Sequence, residues 1–172
     1  PYSERVWKTT TAYALYCLAL AGKPETSFQE KLFAEKDSLS LLGKTLLLKA
    51  LHHGNGAADA QKTIIQDLFN KIKISGSSLA HFEDDEGFEG RWIYSTSLRT
   101  TAVILQSLIE TKTQTPMLDG IARWLTARRK AKRWMSTQDN LHYFHALSEY
   151  YLRFEKTEPD FIAEAFLKDQ SI

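Results

Sequence analysis

What this sequence lacks narrows the field first. It holds a single cysteine, Cys17, so an internal disulfide and a multi-cysteine metal site are excluded. It has almost no net charge: 22 basic against 21 acidic residues leave +1, so no global field recruits nucleic acid or an anionic membrane. No apolar run reaches the roughly 18 residues of a transmembrane helix, which argues against direct membrane insertion. Proline and glycine are few, and a chain that is 43% hydrophobic and 25% charged has the make-up of an ordinary folded domain. The chain opens at Pro1 with no initiator methionine and no signal peptide, and we read it as an excised piece of something larger. Its 172 residues fit one domain with a single core. One local charge run stands out: Arg123, Arg128, Arg129, Lys130, Lys132 and Arg133. It reads as a solvated helix end rather than a nucleic-acid surface, because cations complement the C-terminal helix dipole.

Helical periodicity fills most of the remainder. Thr11-Ala12-Tyr13-Ala14-Leu15-Tyr16-Cys17-Leu18 and Thr101-Ala102-Val103-Ile104-Leu105-Gln106-Ser107-Leu108 share the pattern T-A-x-x-L-x-x-L. Its apolar positions fall on one helical face at successive turns. Asn140 to Leu147 repeats it with Leu141, Phe144 and Leu147 in the apolar slots, and Lys44 to Leu51 is a looser copy. Helices of a second kind lie between: about 26 to 36 with Phe28, Leu32 and Phe33; about 57 to 74 with Ile64, Ile65, Leu68, Phe69 and Ile72; about 116 to 129, opened by Pro116 and turning Leu118, Ile121 and Leu125 inward. Gly22-Lys23-Pro24 and Gly54-Asn55-Gly56 are plausible helix stops. The order is inner, outer, inner: a stack of helix hairpins, about seven helices in all. Residues 75 to 91 read as a polar loop with extended pieces around Leu79 to Phe82. Asp160 to Leu167 alternates like a strand leading into a different domain.

The candidate sites are Trp-Ser/Thr stretches. Trp7 precedes Thr9 and Thr10; Trp92 precedes Ser95 and Thr96; Trp134 precedes Ser136, Thr137, Gln138 and Asp139. A nucleophile would be singular and carry its own base. A hydroxyl pair that recurs wherever a helix starts is instead a cap for unpaired backbone N–H groups, with the Trp packed across the entrance like a hydrophobic staple. The acidic run Glu83-Asp84-Asp85-Glu86 lacks calcium-loop spacing and reads as solvated. His52 and His53 suit a helix C-terminus. His142 and His145 have an i, i+3 spacing that can hold a metal, but no second helix offers ligands, so no metal site is assigned. Cys17, inside an apolar stripe, reads as a small buried hydrophobe.

"RWIYSTSLRTTAVILQSLIE", "IARWLTARRKAKRWMSTQDNLHYFHALSEYY" and "PDFIAEAFL" together resemble the thioester domain of the alpha-2-macroglobulin and complement family, and "DSLSLLGKTLLLKALHHG" looks most like its bacterial branch. The resemblance implies an all-α fold, an α/α toroid of helix-hairpin repeats (prenyltransferase-like). About seven helices would form a partial ring over residues 1–157, and residues 158–172 would form a strand leading into a β-sandwich. It implies a parent protein that is a bacterial protease inhibitor, a trap that captures its attacker through a Cys–Gln thioester or, as in the bacterial members that lack one, by trapping alone, and a periplasmic, cell-envelope or secreted location. The partners implied are the parent's other domains and, through the parent, target proteases. The thioester motif, Cys-x-Glu-Gln, is missing here, since Cys17 is followed by Leu18-Ala19-Leu20. The motif would lie upstream of Pro1, so the fragment is expected to be no enzyme and to need no cofactor. An incomplete ring exposes apolar surface at its cut end, which favours a dimer through that open flank. Two rivals are an α/α-toroid enzyme of the terpene cyclase or prenyltransferase type and a helical-repeat protein-binding module. Zinc in the purified protein would favour the first, and the strand-like C-terminus argues against the second.

Overall fold

The computed structural model describes residues 4–76, 78–85, 93, 95–129, 136–156, 166–167 and 170–171. The class is all-α. Among the described residues seven α-helices follow in order: α1 (Glu4–Leu20), α2 (Thr26–Ala34), α3 (Leu41–His53), α4 (Ala58–Phe69), α5 (Ser97–Glu110), α6 (Met117–Arg129) and α7 (Thr137–Tyr150). A π-helical turn, Tyr151–Glu155, continues α7 and closes with the Lys156 N–H on the Tyr151 carbonyl. Between α4 and α5 a short hairpin pairs β1 (Lys73–Ser75) antiparallel with β2 (Leu79–His81). Near the C-terminus β3 (Phe166–Leu167) pairs antiparallel with β4 (Gln170–Ser171). That pairing lies at the end of the expected strand; residues 157–165 fall outside the described residues.

The odd-numbered helices pack as consecutive neighbours: α1 on α3, α3 on α5, α5 on α7. They also run in one direction. Thr9 meets Ser40 near the starts of α1 and α3, while Tyr16 meets Lys49 and His53 further along both. His53 and Lys49 reach Glu110 at the far ends of α3 and α5, and Thr96 meets Asp139 at the near ends of α5 and α7. The even-numbered helices cover this series: α2 packs on α1 and α3, α4 on α3, and α6 on α5, α7 and β2. Gly120 allows the last approach, because a Cβ there would stand 3.1 Å from the Ser78 carbonyl and 3.3 Å from the Ala80 Cβ.

Burial follows position in the series. α3, with neighbours on both sides, buries ten of its thirteen residues, and α5 is buried without a break from Thr100 to Leu108. Their apolar side chains join one core that includes Leu47, Leu48, Ile64, Ile104, Leu125 and Tyr143. At about 25 cal/mol per Å² of apolar surface, this burial is what holds the short elements in place, since isolated helices of this length are marginal in water.

Three sequence expectations need correction. Helix α4 ends at Phe69, so Ile72 lies beyond it and Lys73–Ser75 is strand; the Asn70 and Lys71 N–H groups bond to the Gln66 and Leu68 carbonyls and close the helix in a turn. In α2, read with Phe28, Leu32 and Phe33 as its apolar residues, Phe28 is 58% exposed, while Leu32 and Gln29 point inward. Helix α7 is turned from the expected face: Leu141 and Phe144 are 61% and 57% exposed, and Asp139, Tyr143, Ala146 and Tyr150 are buried. The cause is the anchoring of Asp139 to Thr96 at the start of α5, which sets the rotation of the whole helix.

Candidate functional site

Two sets of polar groups run across the parallel series, one at the helix starts and one along the middle and far ends. The first links the N-termini of α3, α5 and α7. The Ser40 hydroxyl accepts the Gly43 N–H at 2.9 Å and caps α3, and its oxygen lies 3.0 Å from Thr9 Oγ1. Thr96 Oγ1 accepts the Arg99 N–H at 3.0 Å, capping α5, and donates to Asp139 Oδ1 at 2.5 Å. Ser136 Oγ accepts the Asp139 N–H at 3.0 Å, capping α7, and donates to Asp139 Oδ2 at 2.8 Å. The buried Asp139 carboxylate thus receives a hydroxyl from each of two helix starts and sits where the α7 dipole favours negative charge.

Asp84 and Asp85 of the acidic run belong to this end too, which corrects the solvated reading for these two; Glu83 is exposed, and Glu86 lies outside the described residues. Asp85 Oδ1 accepts the Leu41 N–H at 2.8 Å, a second cap on α3. The Asp84 carboxylate accepts the Ser95 hydroxyl, and the Asp84 N–H donates to Ser97 Oγ at 2.9 Å. Just before it, Thr101 Oγ1 accepts the Phe82 N–H and donates to the Phe82 carbonyl, both at 3.0 Å. The loop is held against α5 and α3 because unpaired helix N–H groups and a carboxylate satisfy each other.

The predicted site residues divide accordingly. Thr96 and Ser136 are N-caps, and Ser95 binds the acidic loop. Thr137 and Gln138 fall in the first turn of α7, while Trp92 and Trp134 lie outside the described residues. Trp7, Thr9 and Thr10 are not a helix start. Helix α1 already runs from Glu4, so Trp7 sits inside it, 66% exposed, with nothing to staple. Thr10 Oγ1 instead donates to the Val6 carbonyl at 2.9 Å, a local bond that lets a hydroxyl sit within a helix. Ser40 was missed, although a Ser directly before the apolar run Leu41-Leu42 is a helix-start signal.

The second set joins α1, α3, α5 and α7 further along. Lys49 is only 3% exposed; its Nζ lies 2.9 Å from Glu110 Oε1 and 4.9 Å from the centre of the Tyr16 ring. His53 Nε2 reaches the other Glu110 oxygen at 3.3 Å, so His53 has a specific partner beyond the helix dipole. Gln106 Nε2 lies 2.5 Å from His145 Nδ1, and His145 Nε2 lies 3.1 Å from Glu149 Oε1. With the Gln106 amide as donor, Nδ1 is the acceptor and the Nε2 proton faces Glu149. Burial first, with the Glu110 charge, pushes the Glu149 carboxyl above its usual range, although the His145 ring works the other way. His142 is pushed down to about 4, chiefly by burial and then by Arg99 and Lys49, so its imidazole is neutral at pH 7. The signal for this set was Lys49, a lone charge in the run Leu47-Leu48-Lys49-Ala50-Leu51, which needs a partner once buried.

These bonds tie helix ends and neighbouring helices to one another. Each carboxylate and ammonium above is engaged by a neighbour, and the hydroxyls that meet a carboxylate, those of Ser95, Thr96 and Ser136, do so at helix starts, where Thr96 and Ser136 also cap. Cys17 is exposed, contrary to its expected burial, because it lies on the face of α1 turned away from Ala12 and Leu15. Among the described residues no group of three or more His, Cys, Asp or Glu side chains could hold a metal, and no helix is long and apolar enough to cross a membrane. In the basic run, Arg123 pairs with Asp119 at 2.5 Å, and Arg128 lies over the Trp124 ring, which stacks on His81 at 4.6 Å. No protein-family model matches this chain, and neither a curated protein nor a solved structure is similar to it.

Proposed function

We propose that this chain is a non-catalytic scaffold: part of a thioester-type α/α-toroid domain in a bacterial alpha-2-macroglobulin-like protease inhibitor. The observation that carries the reading is the alternation itself, a parallel inner series covered by outer helices, with inner starts capped from Ser/Thr stretches of the kind that suggested the family. Seven helices in this order make part of a ring, and the linked N-termini of α3, α5 and α7 give it a stiff edge. In such a parent the covalent chemistry belongs to another segment, and these helices hold its walls. The location is then periplasmic, envelope-bound or secreted, and the partners are the parent's other domains and, through them, target proteases. The engagement of Asp84 and Asp85 by helix-end groups favours this reading over a terpene cyclase or prenyltransferase, whose acid must face a substrate cavity.

The test is the intact mass of the full-length parent with and without methylamine, together with a protease challenge. A gain of one methylamine with a newly free thiol makes the parent a covalent trap. Without that gain, a challenged protease that still cleaves small peptides but is shielded from protein substrates makes it a trap by shape alone. If neither response is seen, the proposal is overturned.

A further inference from the structure

Helix α3 ends in a Schellman turn that sets the dipeptide Asn55-Gly56 at the surface. The Gly56 N–H donates to the Leu51 carbonyl at 2.7 Å and the Asn55 N–H to the His52 carbonyl at 3.4 Å, the two bonds that define such a turn. Asn55 takes the left-handed position, with φ of 54°, which asparagine tolerates better than most residues. Gly56 is there for packing. A Cβ on it would stand 2.6 Å from Leu51 Cδ2 and 3.2 Å from Leu51 Cα, so only glycine lets the chain turn back over the end of α3. The same missing side chain leaves the Gly56 nitrogen unhindered as a nucleophile toward the side-chain amide of Asn55. The other two asparagines, Asn70 and Asn140, are followed by Lys71 and Leu141, whose side chains crowd that attack.

We propose that Asn55 is a deamidation site and that the turn at the end of α3 gates it. The Gly56 nitrogen loses its proton to water and bonds to the Asn55 Cγ; the side-chain nitrogen leaves with a proton as ammonia, and a five-membered imide remains. Water then opens one or the other imide C–N bond and leaves aspartate or isoaspartate. The closed turn opposes the first step, because the proton that must leave is donated to the Leu51 carbonyl. The turn is also held from outside. Gln61 Nε2, on α4, donates to the Gly56 carbonyl at 3.0 Å, and Gln29 Nε2, on α2, donates to the Ala50 carbonyl at 3.2 Å. Asn55 itself is exposed, so water for the second step is at hand and the turn alone sets the rate. Neither product closes the turn as asparagine does. Aspartate adds a negative charge at the negative end of the α3 dipole, close to His53 and its contact with Glu110. Isoaspartate routes the main chain through the side-chain methylene and draws Gly56 out of register with Leu51. A turn that opens and reacts therefore opens more often afterwards, at the end of α3 where Lys49 and His53 meet Glu110. The inference does not rest on the inhibitor reading, since it uses only the turn and its neighbours.

Peptide mapping by mass spectrometry tests it, on the full 172-residue chain held at mildly alkaline pH in buffer and in urea above the unfolding transition. In urea the peptide carrying Asn55 should gain one mass unit well ahead of those carrying Asn70 and Asn140. In buffer the Asn55 rate should fall by about tenfold or more, since only the opened turn reacts. Gly56→Ala should slow the reaction in urea, where packing against Leu51 plays no part. Gln61→Ala leaves the dipeptide intact and removes one bond that holds the turn. With helix content by circular dichroism unchanged, it should raise the rate in buffer by about fivefold, the effect of one hydrogen bond on the opening equilibrium, and leave the rate in urea as it was. Equal rates in buffer and urea overturn the proposal. So does Asn70 or Asn140 reacting as fast as Asn55 in urea, or a Gln61→Ala chain that reacts in buffer no faster than the wild type.

Discussion

Two adjacent aromatic residues, Tyr143 and Phe144, report how α7 is turned. Tyr143 is 2% exposed and Phe144 is 57% exposed, whereas the sequence pattern puts Phe144 in the core. Tyr143→Ala removes a fully buried ring and leaves a cavity, for which aromatic-to-alanine changes cost about 3–5 kcal/mol. Phe144→Ala loses only the buried part of one ring, less than half of about 200 Å², worth at most about 2 kcal/mol at 25 cal/mol per Å². Alanine's better helix propensity returns roughly half a kcal/mol, so the net cost is about 1 to 1.5 kcal/mol. In a domain of this size each kcal/mol moves Tm by about 2–4 °C, so Tyr143→Ala should lower Tm by about 10 °C and Phe144→Ala by about 3 °C. Urea unfolding at low micromolar protein, where association does not contribute, gives the same comparison as free energies. Equal losses, or a larger loss for Phe144→Ala, would refute the orientation of α7 and the linkage that sets it.

The same linkage predicts that Asp139→Ala costs about 2–3 kcal/mol in urea unfolding. It loses hydroxyl bonds from Thr96 and Ser136 to a charged group, and Asp139→Asn should recover part of that loss. Lys49→Met should cost about 3 kcal/mol because it strands Glu110 beside His53. Adding Glu110→Gln should return part of this, and a double-mutant cycle with no coupling would remove the pair from the account. His142 gives a pH dependence. Its folded pKa of about 4 lies below the unfolded value of 6.5, so the unfolded chain takes up the proton first and stability falls as pH drops from about 6.5 to about 4. The groups facing it are Arg99 on α5, Lys49 on α3, and His145 and Asp139 on α7. Full burial would make the loss about 3 kcal/mol, and solvent screening of this partly exposed ring reduces it to about 1–2. Urea titrations of wild type and His142→Gln at pH 7 and pH 4.5 isolate the term, and an unchanged difference between them would dismiss it.

The helices, their alternation and the caps at Thr96 and Ser136 are legible in the residues alone, because these are local matters. A period of 3.6, a hydroxyl before an apolar run and a Gly after one act within a few residues. Ser136 and Thr96 were legible for that reason. Which face of each helix turns inward, and which charges meet, depends on the packing of distant segments. Thr96 and Asp139 are 43 residues apart and Lys49 and Glu110 further still, so neither spacing nor propensity brings them together. Helix α7 has apolar residues on two faces, Leu141 and Phe144 on one and Tyr143 and Ala146 on the other, so periodicity leaves its rotation ambiguous. The contact of Asp139 with the start of α5 resolves it, since a carboxylate buried there is stable only with both hydroxyls bound.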